Sequence, residues 1–432
     1  MERPLNMSSS SLTKATSLAP PTSTPALPRD RTPRSAKVIA WVTCALLLGS
    51  LFPPLGPARL HLYAVPPAIV LAFLTLIGPH RSARTPWVVL GPLFLILIAA
   101  ISWSPPPLTE YGEDKFSRLW TSTLISTALG TAFFLRSRVR SLAAAWVWAS
   151  IPLAVATLVA GESTYEGRSA AFGANPIWVA RALGTATIAT IALPRLGYPR
   201  KYLALAPLFM AGLFATGSRG PFVATLVGIL VLLITSTSRT LVALVVTGGG
   251  YLTLISIPSL KNSRIGSLLS SVSQGEEVGA NRSELWISAW TIWQENRWGV
   301  GFGNWSHHSQ FPTYSYPHNI FLEVAAELGT LPAVFLLAAL GVSLISIAKG
   351  SIQITEKRLL LAMLATEAIS VSVSGDLSAR TFFFLLAASL ALAAGEHQRN
   401  ALGGGSDNQM SPAQDNLPLR RSPLHTSTHK TI

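Results

Sequence analysis

The chain has 432 residues, 49% of them hydrophobic and only 12% charged, with a mean hydropathy of +0.43. A soluble domain carries about 25% charged residues, so the composition excludes a soluble enzyme and points to a polytopic membrane protein, an all-α bundle of transmembrane helices. The formal net charge of +14 comes from 33 Lys and Arg against 19 Asp and Glu; the basic residues cluster at one set of span ends, which makes the charge a topology signal and requires no nucleic-acid partner.

Residues 1–36 are rich in Ser, Thr and Pro, end in a basic cluster with Arg29, Arg31 and Arg34, and read as a disordered cytoplasmic tail. A signal peptide is the competing reading, and the leader before the apolar run is too long for one. About twelve apolar spans follow, near 37–52, 60–79, 86–103, 117–135, 141–160, 175–194, 201–216, 220–236, 240–257, 319–348, 357–374 and 379–395. With the N-terminus inside, the inner loops hold Arg81 and Arg84, Arg136 to Arg140, Arg195 to Lys201, Arg239, and Lys349 to Arg358. The membrane domain covers 37–398, and 399–432 forms a second cytoplasmic tail. Cys44 is alone, so no internal disulfide and no zinc-type Cys/His spacing exist.

The chemistry falls on the outer side. Arg168, Arg219, Arg282, Arg297 and Arg380 face outward against the positive-inside trend, which suggests an anion site there. In GESTYEGRSAAFGANPIW, Asn175 suits a helix cap and Pro176 the first helical turn. TGSRGPF, residues 216–222, places Arg219 at the mouth of two spans. The one large outer loop, 258–317, contains NRSELWISAWTIWQENRW, which reads as an amphipathic helix capped by Asn281 with Glu284 three residues on. Trp286, Trp290 and Trp293 share one face of it. Arg282 lies in its first turn, suited either to an anionic ligand or to lipid headgroups. WGVGFGNW reads as a tight turn, because a phosphate loop needs a preceding strand and a following Lys-Ser/Thr.

His318 and Asn319 then open the tenth span. The positive end of the helix dipole would depress the imidazole pKa, leaving either a neutral base or hydroxyl-orienting group, or an interfacial residue that caps the helix. Glu323 and Glu327 continue down the same helix, and a structural ion pair with Arg181, at similar depth, is expected. Glu367 also demands a partner, and Asp376 is expected to pair locally with Arg380. No carboxylate cluster offers a metal site, Glu113 and Asp114 being too slight, so arginines would take the metal's place on a phosphate-bearing substrate.

Four segments now stand in order: R168-SAAFGANP-I, TGSRG, R282-SELW…WGVGFGNW and H318-NIFLEVAAELG. Together they resemble the O-antigen ligase and polymerase superfamily of bacterial envelope glycosyltransferases, over about 160–345. The resemblance departs from the family at Ile177, where a second Asn is commoner after Asn-Pro. It implies a GT-C-like bundle in the bacterial inner membrane, both termini cytoplasmic. It also implies metal-independent, inverting transfer of a glycan from an undecaprenyl-pyrophosphate carrier to a lipid or glycan acceptor, without a cofactor. By that resemblance Arg219 and Arg282 grip the pyrophosphate and His318 orients or deprotonates the acceptor hydroxyl, with substrate contacts at Arg168, Asn175 and Asn319. Ligase and polymerase remain equivalent readings. The rival class is a transporter of a small anion or solute, with buried Glu323, Glu327, Glu367 and Arg181 lining a path.

Overall fold

The computed structural model describes residues 34–55, 58–77, 110–136, 139–165, 168–233, 280–350 and 352–403. The expected third and ninth spans, part of the large loop (258–279) and most of both tails lie outside the described residues. In chain order the helices are α1 (Arg34–Leu48), α2 (Leu60–Ile77), α3 (Glu110–Arg118), α4 (Ile125–Arg136), α5 (Val139–Val159), α6 (Pro176–Ala192), α7 (Ala206–Ala215) and α8 (Arg219–Leu233). They continue with α9 (Ala280–Glu295), α10 (Trp305–His308), α11 (Ile320–Leu328), α12 (Thr330–Lys349), α13 (Ile354–Ser374) and α14 (Arg380–Gly403). Two small antiparallel hairpins interrupt them: β1 (Pro54–Leu55) with β2 (Ala58–Arg59), and β3 (Glu162–Tyr165) with β4 (Arg168–Ala170).

Among the described residues three helices are long and apolar enough to cross a membrane: Val139–Val159, Pro176–Leu196 and Thr330–Lys349. Shorter apolar helices stand beside them at Ala36–Leu51, Leu62–Leu71, Arg219–Leu233 and Arg380–Leu392. The helix is the form such sequences must take in lipid, where each backbone group has to be satisfied within its own segment.

The core is built around α6, buried along its length from Val179 to Ala192 and packed against α5, α7, α8 and α13. Small residues allow the close approaches. A Cβ on Gly130 of α4 would run into the Phe384 carbonyl of α14, and one on Gly228 of α8 would meet the Thr366 hydroxyl of α13. Thr366 also donates across that contact to the Ala224 carbonyl at 3.3 Å. Asn175 caps α6 as expected, its Oδ1 accepting from Ile177 N at 2.9 Å, with Pro176 opening the first turn.

The tenth span differs from its prediction as one continuous helix over 319–348. It breaks at Gly329, whose φ of 90° and ψ of −176° only glycine adopts readily, so α11 ends and α12 restarts in a new direction. The expected cap Asn281 lies inside α9, which begins at Ala280.

Helix α12 buries Leu336, Ala339 and Ser343 but exposes Leu331, Val334, Leu337 and Ile345. An apolar outer face on a bundle helix is stable when its solvent is lipid. Leu337→Arg should therefore cost about 2.5–3.5 kcal/mol of insertion free energy and lower the membrane-integrated yield, whereas Leu337→Ala should leave it near wild type; a glycosylation-scanning insertion assay reads the difference.

Candidate functional site

TGSRG is the turn of the α7–α8 hairpin. Thr216 Oγ1 accepts from Ser218 N at 3.2 Å, Gly217 takes a φ of 62°, and Phe214 and Phe222 pack across the turn with ring centroids 4.9 Å apart. Arg219 opens α8, half-buried. The next residue, Gly220, lies against the C-terminal end of α13: a Cβ there would come within 2.7 Å of Val373 Cγ2. Arg282, from the first turn of α9, reaches the same end of α13. Its guanidinium donates to the Val373 carbonyl and, at 2.8 Å, to Ser374 Oγ. A cation at a helix C-terminus meets the negative end of the dipole and the last unpaired carbonyls. The two arginine-bearing segments thus meet on one helix end.

His318 stands beside them, immediately before Asn319. Asn319 is the N-cap of α11, its Oδ1 accepting from Phe321 N at 3.0 Å and Leu322 N at 3.2 Å. His318 therefore lies outside the first helical turn where the sequence places it. Its φ of 57° is a left-handed conformation that costs a non-glycine residue on the order of 1 kcal/mol or more and is enriched at functional sites. Tyr316 packs on the imidazole with centroids 4.3 Å apart, Tyr314 meets it edge-on at 6.1 Å, and Tyr111 stacks on Tyr316 at 5.9 Å. Nδ1 of His318 is buried and has no hydrogen-bond partner among the described residues. Burial, reinforced by the Arg282 charge and opposed by Asp376, lowers the imidazole pKa to about 4. The dipole argument gives the same direction, but desolvation is the larger cause. The same burial pushes the phenols of Tyr111 and Tyr316 up, so both stay protonated donors.

The expected pairing of Arg181 with Glu323 and Glu327 is replaced by two separate clusters. Arg181 pairs with Glu367, the carboxylate whose partner the sequence left unnamed. Glu323 and Glu327 both pair with Lys115 of α3, at 2.6 Å for Glu323, and all three side chains are buried. Phe302 covers the ammonium at 4.6 Å from its ring centroid. Nor do Asp376 and Arg380 pair with each other. Asp376 accepts from Ser378 N at 3.0 Å and Ser378 Oγ at 2.6 Å, whereas Arg380 donates to Ser50.

The glycine turn WGVGFGNW is structural, as its sequence suggests. Gly299, Gly301 and Gly303 have φ of 87°, 97° and 73°. That path brings Val300 N to the Ala326 carbonyl at 2.9 Å and Gly301 N to the Glu327 carbonyl at 3.0 Å, satisfying acceptors that the break at Gly329 frees. Gly303 N then donates to Glu327 Oε2 at 2.9 Å. On α9 the buried stripe is Leu285, Ala289 and Ile292, packed against Trp305 and Ala326. The Trp face lies beside it: Trp290 is largely exposed, and Trp293 donates to Thr330 Oγ1 at 3.1 Å beneath Arg297.

Residues 203–337 match the family model described as Wzy_C, O-antigen ligase. That segment, about a third of the chain, is similar to an O-antigen ligase domain. The match supports the O-antigen ligase and polymerase superfamily, a membrane-embedded family associated with glycan transfer, and it takes in Arg219, Arg282, His318 and both α11 carboxylates. No curated protein matches the chain. Residues outside the matched segment pack against its candidate site: Tyr111 and Lys115 of α3, and Val373, Ser374 and Asp376 at the end of α13. Sequence reasoning missed Tyr111, Tyr316 and Lys115. The available signal was a lysine one turn inside a polar outer segment, with two membrane-depth glutamates needing a cation. Arg168, on β4, belongs to the hairpin packed on α5, α6 and α7, and Asn175 faces a separate cavity at the head of α6. Among the described residues no group of three His, Cys, Asp or Glu is placed to hold a metal.

Two outcomes follow from this geometry. Lys115→Ala strands two buried carboxylates and should cost about 3–5 kcal/mol, visible as a large fall in Tm in detergent. For His318, folding lowers the pKa from 6.5 to about 4, so its contribution to stability is present above about pH 6.5 and lost as the pH falls toward 4. The acid limb of activity due to His318 should accordingly lie well below pH 6.5; a limb at the ordinary imidazole value would contradict the buried neutral ring.

Proposed function

We propose that this protein is a metal-independent, inverting glycosyltransferase of the O-antigen ligase or polymerase type, working at the outer face of the bacterial cytoplasmic membrane. The observation that carries the reading is the convergence of Arg282 and the Arg219 turn on one end of α13, within electrostatic reach of a neutral, half-buried His318.

The donor would be a glycan on undecaprenyl pyrophosphate. The acceptor hydroxyl oxygen attacks the anomeric carbon, the bond from that carbon to the phosphate oxygen breaks, the pyrophosphate leaves with the electron pair, and the hydroxyl proton passes late to His318 Nδ1. Arg219 and Arg282 stabilise the charge that grows on the leaving group; a planar guanidinium suits phosphate oxygens. Nδ1 of His318, without a hydrogen-bond partner among the described residues, can accept a hydrogen bond from the acceptor hydroxyl. With a pKa of about 4 it is a weak base in the unliganded site, which favours orienting the hydroxyl over early proton removal. Asn319 and Asn175 serve first as helix caps, so any substrate contact would use their remaining amide hydrogens. Among the described residues the buried charges of the transporter reading sit in two compact clusters, which favours structural pairs over a path.

Arg219→Ala and His318→Ala should each reduce glycan transfer by about a hundredfold or more, the scale of losing a charge-stabilising donor, with the protein still inserted. Wild-type transfer in either variant would sink the assignment. Transfer should survive EDTA, and loss restored by added divalent metal would argue against arginines as the charge stabilisers. Deleting the gene and profiling glycans separates the two types: long chains held on the carrier indicate a ligase, and single repeats reaching the acceptor indicate a polymerase.

A further inference from the structure

A second cavity, of about 560 Å³, opens where the ends of α1, α3, α6 and α14 meet. Ser50, Arg118, Asn175, Trp178, Ser378 and Arg380 line it. Arg380 decides its chemistry. The residue is 6% exposed, makes no ion pair among the described residues, and donates one Nη2 hydrogen bond to Ser50. Its Nε is buried and has no hydrogen-bond partner among the described residues. The neighbouring carboxylates are engaged elsewhere: Glu367 with Arg181, Asp376 with Ser378, and Asp114 with Arg118. The Trp178 ring, 5.9 Å from the guanidinium carbon, offsets part of the desolvation but is shared with Arg181 at 4.9 Å. A buried cation without a counter-charge is costly and marks a place where an anion belongs.

The remaining lining narrows the ligand. An indole wall with hydroxyl and amide groups around it suits a sugar ring, whose apolar face packs on an aromatic while its hydroxyls meet Ser50, Asn175 and Ser378. We propose that this cavity binds a phosphate- or carboxylate-bearing saccharide, the acidic part of the acceptor glycan, with Arg380 and Arg118 as its anion ligands. Its identity as the acceptor rests on the transfer reading; the anionic-saccharide site itself does not. Asp376 is the partition between the two sites. Its Oδ2 lies 4.0 Å from Arg118 on the cavity side, and its charge acts on His318 and Tyr316 on the other. A saccharide held by Arg118 and Arg380 would therefore approach His318 beside Asp376.

The test is direct binding to the full-length protein in nanodiscs, with glucosamine 6-phosphate as the probe and glucosamine as the uncharged control. Wild type should bind the phosphorylated sugar and not the control. Arg380→Met and Arg118→Gln should each weaken binding by about tenfold or more, the loss of a charge-assisted contact, whereas Arg219→Ala should bind as wild type. Arg118 is partly exposed, so its variant keeps the test decisive if Arg380→Met does not fold. No binding by wild type, or binding lost in Arg219→Ala and kept in Arg118→Gln, would overturn the proposal. In a transfer assay, Arg118→Gln should raise KM for the acceptor and leave KM for the donor unchanged. A rise confined to the donor would assign the anion to the carrier pyrophosphate and overturn the acceptor site. Binding that depends on Arg118 and Arg380 in a protein without transfer activity would uphold the anionic-saccharide site and reject the transfer reading.

Discussion

Lys115 and Glu327 stand 212 residues apart in the chain, and their meeting underlies the geometry of the site. Two carboxylates, Glu323 and Glu327, sit on the buried face of α11. Leaving them charged in an apolar interior would cost several kcal/mol each. One ammonium and the Gly303 N–H reduce that cost. Satisfying them locks α3 against α11, and α3 carries Tyr111. Tyr111 stacks on Tyr316, Tyr316 packs on His318, and the half-buried imidazole is fixed among aromatic rings. The left-handed backbone at His318 is held between those rings and the Asn319 cap.

The helix break at Gly329 adds the second constraint. Ending α11 early frees carbonyls that need donors, and the glycine turn supplies them through Val300 N and Gly301 N. Only residues tolerant of positive φ can follow that path, which accounts for three glycines in five residues at 299–303. The turn in turn anchors α9, whose buried stripe packs beside it and whose first turn sends Arg282 to α13. A break inside an apolar run is tolerated because it is buried in protein and its backbone groups are re-satisfied.

The Asp376 carboxylate stands between Arg118 on one side and the neutral His318–Tyr316 pair on the other.

Composition and periodicity alone determined a helical, membrane-suited chain, because apolar runs with few charges have one stable backbone form in lipid. Local chemistry alone determined the Asn175 cap and the glycine turn, because caps and left-handed turns are written in a few adjacent residues. The sequence also showed that Glu323, Glu327 and Glu367 needed cations. It could not say which ones: Arg181 was matched by depth to Glu323, but helix packing gave it to Glu367 and brought in Lys115 from a segment far away in the chain. The same holds for the tyrosine box, the end of α13 as the meeting place of Arg282 and the Arg219 turn, and the cavity around Arg380. Each depends on which helix ends lie side by side, and that is set by long-range burial of charge and close packing at small residues, quantities that no local stretch of sequence contains.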